Sequence, residues 1–470
     1  MIRRPPRSPL LPYTTHSRTE EKQEEKYIRM TTQPPEKLIL KLAFPTIISM
    51  LITSIYNMAD TYFVSQINTS ASAAVGVSYS LMSMIQAFGF TLGMGGGNYL
   101  SRVLGTRDTE KAERIASTAF YSAIAVGAVL AVVGLLFLDP LVKILGATDT
   151  IAPYAKDYAK YILMAAPIMT GALSMNNLLR FQGLAVYAMV GITVGGVLNM
   201  ILDPILIFGF DMGIAGAAIA TAAAQAVSVV IGLIILRRRG LPFPFSVKNI
   251  RFNPSDTVTI LRLGSPIALQ DALTSVSFLI ITAIINSLGL IESAAIGVGE
   301  KIVVFIMLIP IAFMSSVSAF VAQNIGAGKV QRARRAMLCA MGISLVFGVA
   351  MFVFSFFRGD ILAAVFSNDG EVVAACAEYM KSYAIDCLLV CVQFCFMGYF
   401  NGCGKTLFVM IQGIAAAFLV RIPFSYFMSR RVGVTMLQIG FASPLATLLS
   451  IILCIIYYFV TERRSVEAAE

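Results

Sequence analysis

Charge is what this sequence has least of. Asp, Glu, Lys and Arg make up 13% of its 470 residues, whereas a soluble globular protein usually carries about 25%. That scarcity excludes a solvated globular surface. Histidine is also nearly absent, and the only one is His16. No HExxH motif and no Cys/His ligand spacing exist, and no nucleophile–base set stands out, so the reading is that the chain is not an enzyme. The seven cysteines, Cys339, Cys376, Cys387, Cys391, Cys395, Cys403 and Cys454, form no CxxC pair; a zinc or redox site and a bound cofactor have no support. Cys387, Cys391 and Cys395 share one helix face and read as small apolar packing. A filter-like Gly-rich loop inside an apolar run is missing too. GMGGG, at 93–97, sits near the end of such a run and suits close helix packing better than ion coordination.

What is present is hydrophobic residue, 57% of the chain, with a mean hydropathy of +0.78. Apolar stretches of about 20 residues recur throughout, each able to cross a hydrocarbon core of roughly 30 Å. The fold class expected is an all-α polytopic membrane protein, with the lipid bilayer as its surroundings. Spans are placed near 38–64, 71–97, 114–138, 157–180, 186–209 and 211–236, then near 259–287, 293–320, 333–357, 376–398, 406–428 and 436–460. The net charge of +10 does not indicate nucleic acid, because the basic residues lie in short turns between spans. One set of turns carries Arg102, Arg107, Lys111, Arg114, Arg180, Arg237, Arg238, Arg239, Lys248, Arg251, Lys329, Arg332, Arg334, Arg335 and Lys405, with Arg463 and Arg464 in the tail. The other set carries mainly Lys143, Arg358, Arg430 and Arg431. By the positive-inside rule the first set faces the cytoplasm, which puts both termini inside a cell inner (plasma) membrane.

Residues 1–29 differ in composition from the rest. They are rich in Pro and Arg without a signal-peptide core, and Met30 is a plausible start. The expected organisation is an atypical tail at 1–29, a first lobe at 30–236, a cytoplasmic linker at 237–257, a second lobe at 258–460 and a C-terminal tail at 461–470. The lobes repeat. A shift of 221 residues lays Pro45 on Pro266, Thr53-Ser54 on Thr274-Ser275, Gly76 on Gly297, Gly105 on Gly326 and Arg114 on Arg335, with about 16 identities over the 78 positions from Leu38. A shift of 219 lays Gly183 on Gly402 and Pro204 on Pro423. Six spans per half is even, so both halves enter the membrane in the same sense. This predicts two six-helix bundles related by a pseudo-two-fold axis along the membrane normal, with a cleft between them that can open to either side.

Polar residues inside the spans are few. In the first half they are Asp60, in YNMADTYFV; Asn199 and Asp203, four apart in NMILDP and hence on one helix face; and Thr221. At 1.5 Å per residue, Asp60 and Asp203 both lie within roughly 10 Å of the outer end and Thr221 about 15 Å in. A charge at the bilayer centre costs at least about 2.5–3.5 kcal/mol, and two close carboxylates cannot both ionise in a low dielectric without a counter-cation. No Lys or Arg is expected in the membrane part of this half. The pair reads as a reversible site for a proton or a metal cation. Tyr56 precedes Asp60 by one turn, and Pro45 can bend the helix below them, as Pro266 can in the second half. The second half holds Asp271, Glu300, Lys301, Asp386 and Arg421, with Gln393 and Asn401. Both signs occur there, so a network of ion pairs is expected.

These pieces resemble the multidrug and toxic compound extrusion (MATE) family over about residues 35–460. The resemblance rests on Pro45 through Asp60, GMGGGNYLSRVLGTRD, its partner SAFVAQNIGAGK, LRFQGLAVYAMV and NMILDP. It implies export of drug-like organic cations, by a monomer, in exchange for inward H⁺ or Na⁺. It matches Asp60, Asn199, Asp203 and Thr221 to a cation site, able to take Na⁺, and Tyr56, Tyr158 and Asn176 to nearby pocket positions. In one departure, Thr274 stands where the sodium-coupled branch has a Glu. The rival reading is a flippase of lipid-linked saccharide or peptidoglycan precursors, which would need cations lining the cleft.

Overall fold

The computed structural model describes the backbone of residues 15–239 and 253–467 and the side chains of 23–238 and 253–461. Most of the linker, at 240–252, and the side chains of His16, Arg239, Lys248, Arg251, Arg463 and Arg464 lie outside the described residues. Among the described residues, twelve helices are long and apolar enough to cross a membrane. The first half contains α2 (Pro35–Ser65), α3 (Thr69–Gly105), α4 (Thr109–Leu136), the short α5 (Leu138–Ile144), α6 (Ala152–Phe181), α7 (Ala185–Pro204) and α8 (Ile214–Arg239). The second contains α9 (Pro254–Asn286), α10 (Leu290–Gly326), α11 (Val330–Ala364), α12 (Gly370–Gly402), α13 (Thr406–Ala415), α14 (Ile422–Ser429), α15 (Met436–Gly440) and α16 (Ala442–Glu467). They form the two like bundles that the repeat demands. α1 (Thr15–Thr32) precedes them.

Local chemistry sets where these helices begin and end. The Asn68 carboxamide accepts from the Ala71 amide (2.7 Å) to cap α3, and Asp108 accepts from Lys111 (3.0 Å) to cap α4. Such side chains satisfy amides that the first helical turn leaves free. The turns repeat between the halves. Arg107 and Gly328, related by the 221-residue shift, both have left-handed backbone (φ 62° and 72°). Gly183 and Gly404 are related by the same shift and share φ 76°. The structural partner of Gly183 is therefore Gly404, and the pairing of Gly183 with Gly402 is corrected. Side-chain identity misled there; the turn geometry decides. Two π-helical turns were not visible in the sequence. One, Ile205–Gly209, follows Pro204; the other, Ala416–Arg421, ends just before Pro423.

The bundles are separate at one end and fused at the other. At the end away from the basic turns each has its own apolar core. One core runs from Val64 through Tyr158 to Ala218, the other from Ile281 through Tyr383 to Ile439. At the basic end the core is shared: Leu38, Ile39 and Leu42 of α2 pack with Phe313, Val317 and Phe320 of α10. The approach there is close enough to need glycine. A Cβ on Gly95 would strike the Ile260 carbonyl, one on Gly264 the Thr91 carbonyl, one on Gly105 the Gln323 carbonyl, and one on Gly326 the Arg102 carbonyl. Small residues let backbones meet in this way in membranes, where hydrocarbon offers no hydrophobic drive to association. GMGGG thus does serve packing.

Polar contacts complete the seal. The Ser101 hydroxyl donates to the Ala319 carbonyl (2.9 Å), and the Asn98 amide donates to the Asn401 carbonyl. Arg114 Nε lies 2.7 Å from Asp256 Oδ2, and Arg335 Nη2 lies 3.1 Å from Glu36 Oε1. Each of these pairs joins one half to the other, and Arg114 and Arg335 are themselves repeat partners.

α1 lies across this seal. Toward the first half, Lys26 donates to Gln182 (3.2 Å) and Arg29 to the Gly183 carbonyl (3.1 Å). Glu24 pairs with Arg107 (3.1 Å), whose guanidinium also sits over the Tyr27 ring. Toward the second half, Asn324 donates to the Met30 carbonyl (3.2 Å) and Lys329 to the Thr31 carbonyl (3.0 Å). Met30 is fully buried. The segment set apart by its composition therefore contacts the first half through Glu24 to Arg29, and Met30 and Thr31 just beyond it reach the second; residues 1–14 lie outside the described residues.

Candidate cation and substrate sites

Helical periodicity puts Asn199 and Asp203 on one face of α7, and that face turns inward against α8. Both side chains are fully buried. The Asn199 amide donates to Asp203 Oδ1 (3.3 Å) and reaches Thr221 Oγ1 on α8 (3.4 Å). α2 brings Asp60 to the same place from the other side. Asp60, Asp203 and the Tyr158 hydroxyl of α6 lie within electrostatic reach of one another. Tyr158 is fully buried, and its hydroxyl is 3.5 Å from the Met82 sulfur. It belongs with the carboxylates and does not line the cavity described next. The four residues matched to the cation site are thus brought together.

Their oxygens are incompletely satisfied. Asp60 Oδ1, Asn199 Oδ1 and Asp203 Oδ2 are all buried, and none has a hydrogen-bond partner. A buried acceptor left without a donor costs about 1–3 kcal/mol, more when charged. Three such acceptors at one place, two of them on carboxylates, form a donor set that fits a proton or a hard monovalent cation.

One turn below Asp60, Tyr56 opens onto a cavity of about 330 Å³. It is enclosed mainly by α2, α3, α6, α7 and α8, and α10 of the other half supplies Leu308 and Ile311. Its polar lining includes Thr53, Tyr56, Asn57, Gln86, Asn176 and Gln225. Tyr56 and Asn176, which the resemblance matched to pocket positions, both line this cavity. Arg180 lines it too. In the sequence this residue read as a topology signal in a turn, but it is the last-turn basic residue of α6. Its spacing of four from Asn176, which places both on one face, was the available clue.

The second half differs. Glu300 accepts from the Thr282 hydroxyl (2.5 Å). The Arg421 guanidinium lies over the Phe278 ring, 4.8 Å from its centroid, and its Nε and Nη1 have no hydrogen-bond partner. Asp386 is buried with Oδ1 unpartnered. Lys301 and Asp271 are exposed. Asp386, Arg421 and Glu300 converge on Tyr379 without touching, and no ion pair joins these five residues among the described ones. The expected pairing network is not formed in this conformation. Asp386 lies on α12 with Tyr379, Glu300 on α10 and Arg421 at the end of the π-helical turn after α13.

Twelve helices in two like bundles, sealed at one end and enclosing a polar cavity, define a multi-pass membrane transporter. More narrowly, the chain belongs to the MatE family, whose model matches residues 45–205 and again 266–427, once in each half. It is 27% identical over 400 residues to the multidrug export protein MepA of Staphylococcus haemolyticus, covering 85% of this chain and 88% of that one. It is 29% identical over 363 residues to a protein named FAD transporter from Shewanella oneidensis, covering 76% and 79%. A crystal structure of MATE in complex with MaL6 shares the fold, with TM-score 0.86 at 21% identity over 93% of this chain and 98% of that one.

Proposed function

We propose that this protein is a secondary-active exporter that moves drug-like organic molecules out of the cell in exchange for inward H⁺ or Na⁺. The observation that carries this reading is the trio of buried, unpartnered oxygens on Asp60, Asn199 and Asp203, one helical turn from the cavity at Tyr56. Asp60, Asn199, Asp203 and Thr221 hold the coupling cation. Tyr56 links that site to the substrate cavity, and Tyr158 packs beside the carboxylates. The lobes at 30–236 and 258–460, joined by the linker at 237–257, rock against one another as a monomer in the plasma membrane, with both termini cytoplasmic. On this orientation the sealed basic end faces the cytoplasm and the conformation is outward-facing. Filling the cation site satisfies the three oxygens and permits the lobes to close at the outer end. The similarity to MepA supports drug export. The similarity to the protein named FAD transporter supports substrates that are larger and more polar than simple organic cations.

The test is transport in proteoliposomes with the cationic dye ethidium under separately imposed pH and Na⁺ gradients. Asp60→Asn and Asp203→Asn should each abolish gradient-driven export while leaving the melting temperature near that of the unaltered protein. A variant that exports normally under the same gradient would remove its residue from the coupling site.

A further inference from the structure

The cavity carries one charge that an organic cation leaves unpaired. Arg180 is the only charged residue lining it among the described residues. Asp60 and Asp203 lie outside its lining. Arg180 makes no ion pair or side-chain hydrogen bond with any described residue, and its Nε is buried without a partner. A basic residue in the last turn of a helix gains from the helix dipole and usually reaches past the helix end toward water. Here the side chain lines the cavity instead. The direction follows from helix geometry. Side chains lean toward the helix N-terminus, and α6 runs toward the basic end, so Arg180 leans back into the cavity.

Two neutral donors are available beside it. The Asn176 carboxamide of α6 and the Ser228 hydroxyl of α8 both line the cavity, and neither makes a hydrogen bond with any described side chain or backbone group. They converge across Gly191 of α7. A Cβ there would lie 3.3 Å from Ser228 Oγ and 3.9 Å from Asn176 Oδ1. Away from Arg180 the walls are mixed: Met50, Phe90 and Leu308 stand among Thr53, Tyr56, Asn57, Gln86 and Gln225.

We propose that this floor binds the phosphate group of an aromatic phosphate ester, with Arg180 as the charged partner and Asn176 and Ser228 as neutral donors. A guanidinium gives paired, charge-assisted hydrogen bonds to such a group. Donors from two helices, Arg180 and Asn176 on α6 and Ser228 on α8, can reach different oxygens of a tetrahedral phosphate. Met50, Phe90 and Leu308 offer apolar contact to the ring, the amides of Asn57, Gln86 and Gln225 offer hydrogen bonds to its polar edge, and the volume suits a drug-sized solute. This assignment rests on the reading of the cavity as the export site and names its substrate class.

The experiment compares riboflavin with riboflavin 5′-phosphate, which share a ring and differ by the phosphate. Each is titrated into the full chain purified in detergent, and binding is read by quenching of flavin fluorescence. No gradient is imposed, so the result does not depend on whether export is ion-coupled. The unaltered protein should bind the phosphate ester about tenfold or more tightly than riboflavin, the usual gain for hydrogen bonds to a charged group. Arg180→Gln should bring the ratio within about twofold while leaving riboflavin affinity and melting temperature unchanged. Arg180→Lys should keep part of the preference, because it keeps the charge but loses the paired geometry. Equal affinity for the two flavins in the unaltered protein, or no binding of either, overturns the proposal even if Arg180→Gln does not fold. A preference that survives Arg180→Gln overturns it as well, since Arg180 is then only structural. Displacement of riboflavin 5′-phosphate by short-chain phosphatidic acid at a lower concentration than by riboflavin 5′-phosphate itself makes the occupant a lipid, and also overturns it.

Discussion

The two ion pairs that close the basic end are repeat partners, but their surroundings make them unequal. Arg114 and Asp256 have side chains 29% and 5% exposed, and Asp256 also accepts from the Tyr99 hydroxyl at 3.3 Å. Arg335 and Glu36 are 70% and 39% exposed. An exposed pair is worth about 0–1 kcal/mol. Breaking a buried pair costs about 3–5 kcal/mol, because the remaining charge is stranded. Arg114–Asp256 falls between these limits, at about 2 kcal/mol for Asp256→Asn, while Glu36→Gln, at a pair open to solvent, should cost far less. Both pairs bridge the halves, so both must break when the basic end opens. Asp256→Asn should therefore raise the population opened at that end by about 30-fold, and Glu36→Gln by much less. The assay is labelling by a membrane-impermeant maleimide at Ser318→Cys, read by mass spectrometry so that the native cysteines are resolved separately. Ser318 is buried in the seal, 3.5 Å from the Asn98 amide, so its labelling rate follows the opened population. An unchanged rate in Asp256→Asn, or an equal acceleration by Glu36→Gln, would refute the reasoning that burial sets the strength of the latch.

Two further outcomes follow from the same end of the molecule. Gly326→Ala should act as a wedge, because its Cβ would meet the Arg102 carbonyl. Overpacking of this kind costs about 1–3 kcal/mol, so the same maleimide assay should show faster labelling, and an unchanged rate would mean that the backbones can part without loss. Docking of α1 should depend on pH. Burial and the neighbouring Arg29 push the Lys26 ammonium down from 10.5 to about 7, so the docked state holds its proton less tightly than the undocked state. Docking should therefore strengthen as pH rises through the window from about 7 to 10.5 and stay flat below it. A nitroxide at the exposed Glu25→Cys, in a chain with the seven native cysteines replaced, should lose mobility between pH 7 and 9.5; constant or rising mobility would refute this.

The sequence by itself determined the class, the count of spans and the pseudo-two-fold plan, because hydrocarbon imposes a length of apolar helix that soluble folds do not. Pro45 and Pro266, Gly105 and Gly326, and Arg114 and Arg335 kept register through the whole first part of the repeat. Asp60 and Asp203 stood out as well, because an ionisable group in a span is costly, while Asn199 and Thr221 joined them only through the family resemblance. What tertiary structure decided was everything that depends on which helices touch. Glu36 and Asp256 drew no attention near helix starts, yet each closes onto the opposite half. Tyr158 passed from cavity to carboxylates because only packing fixes where a buried hydroxyl points. Arg421, Asp386 and Glu300 have opposite charges, and composition invited pairing; only the packing shows that they gather near Tyr379 without an ion pair among the described residues. Arg180 shows the limit most clearly. A basic residue at a span end satisfies a topology rule in the sequence, and its position says nothing of direction. Only the fold, by running α6 toward the basic end and clearing space beside Asn176 and Ser228, turns that charge back into the membrane.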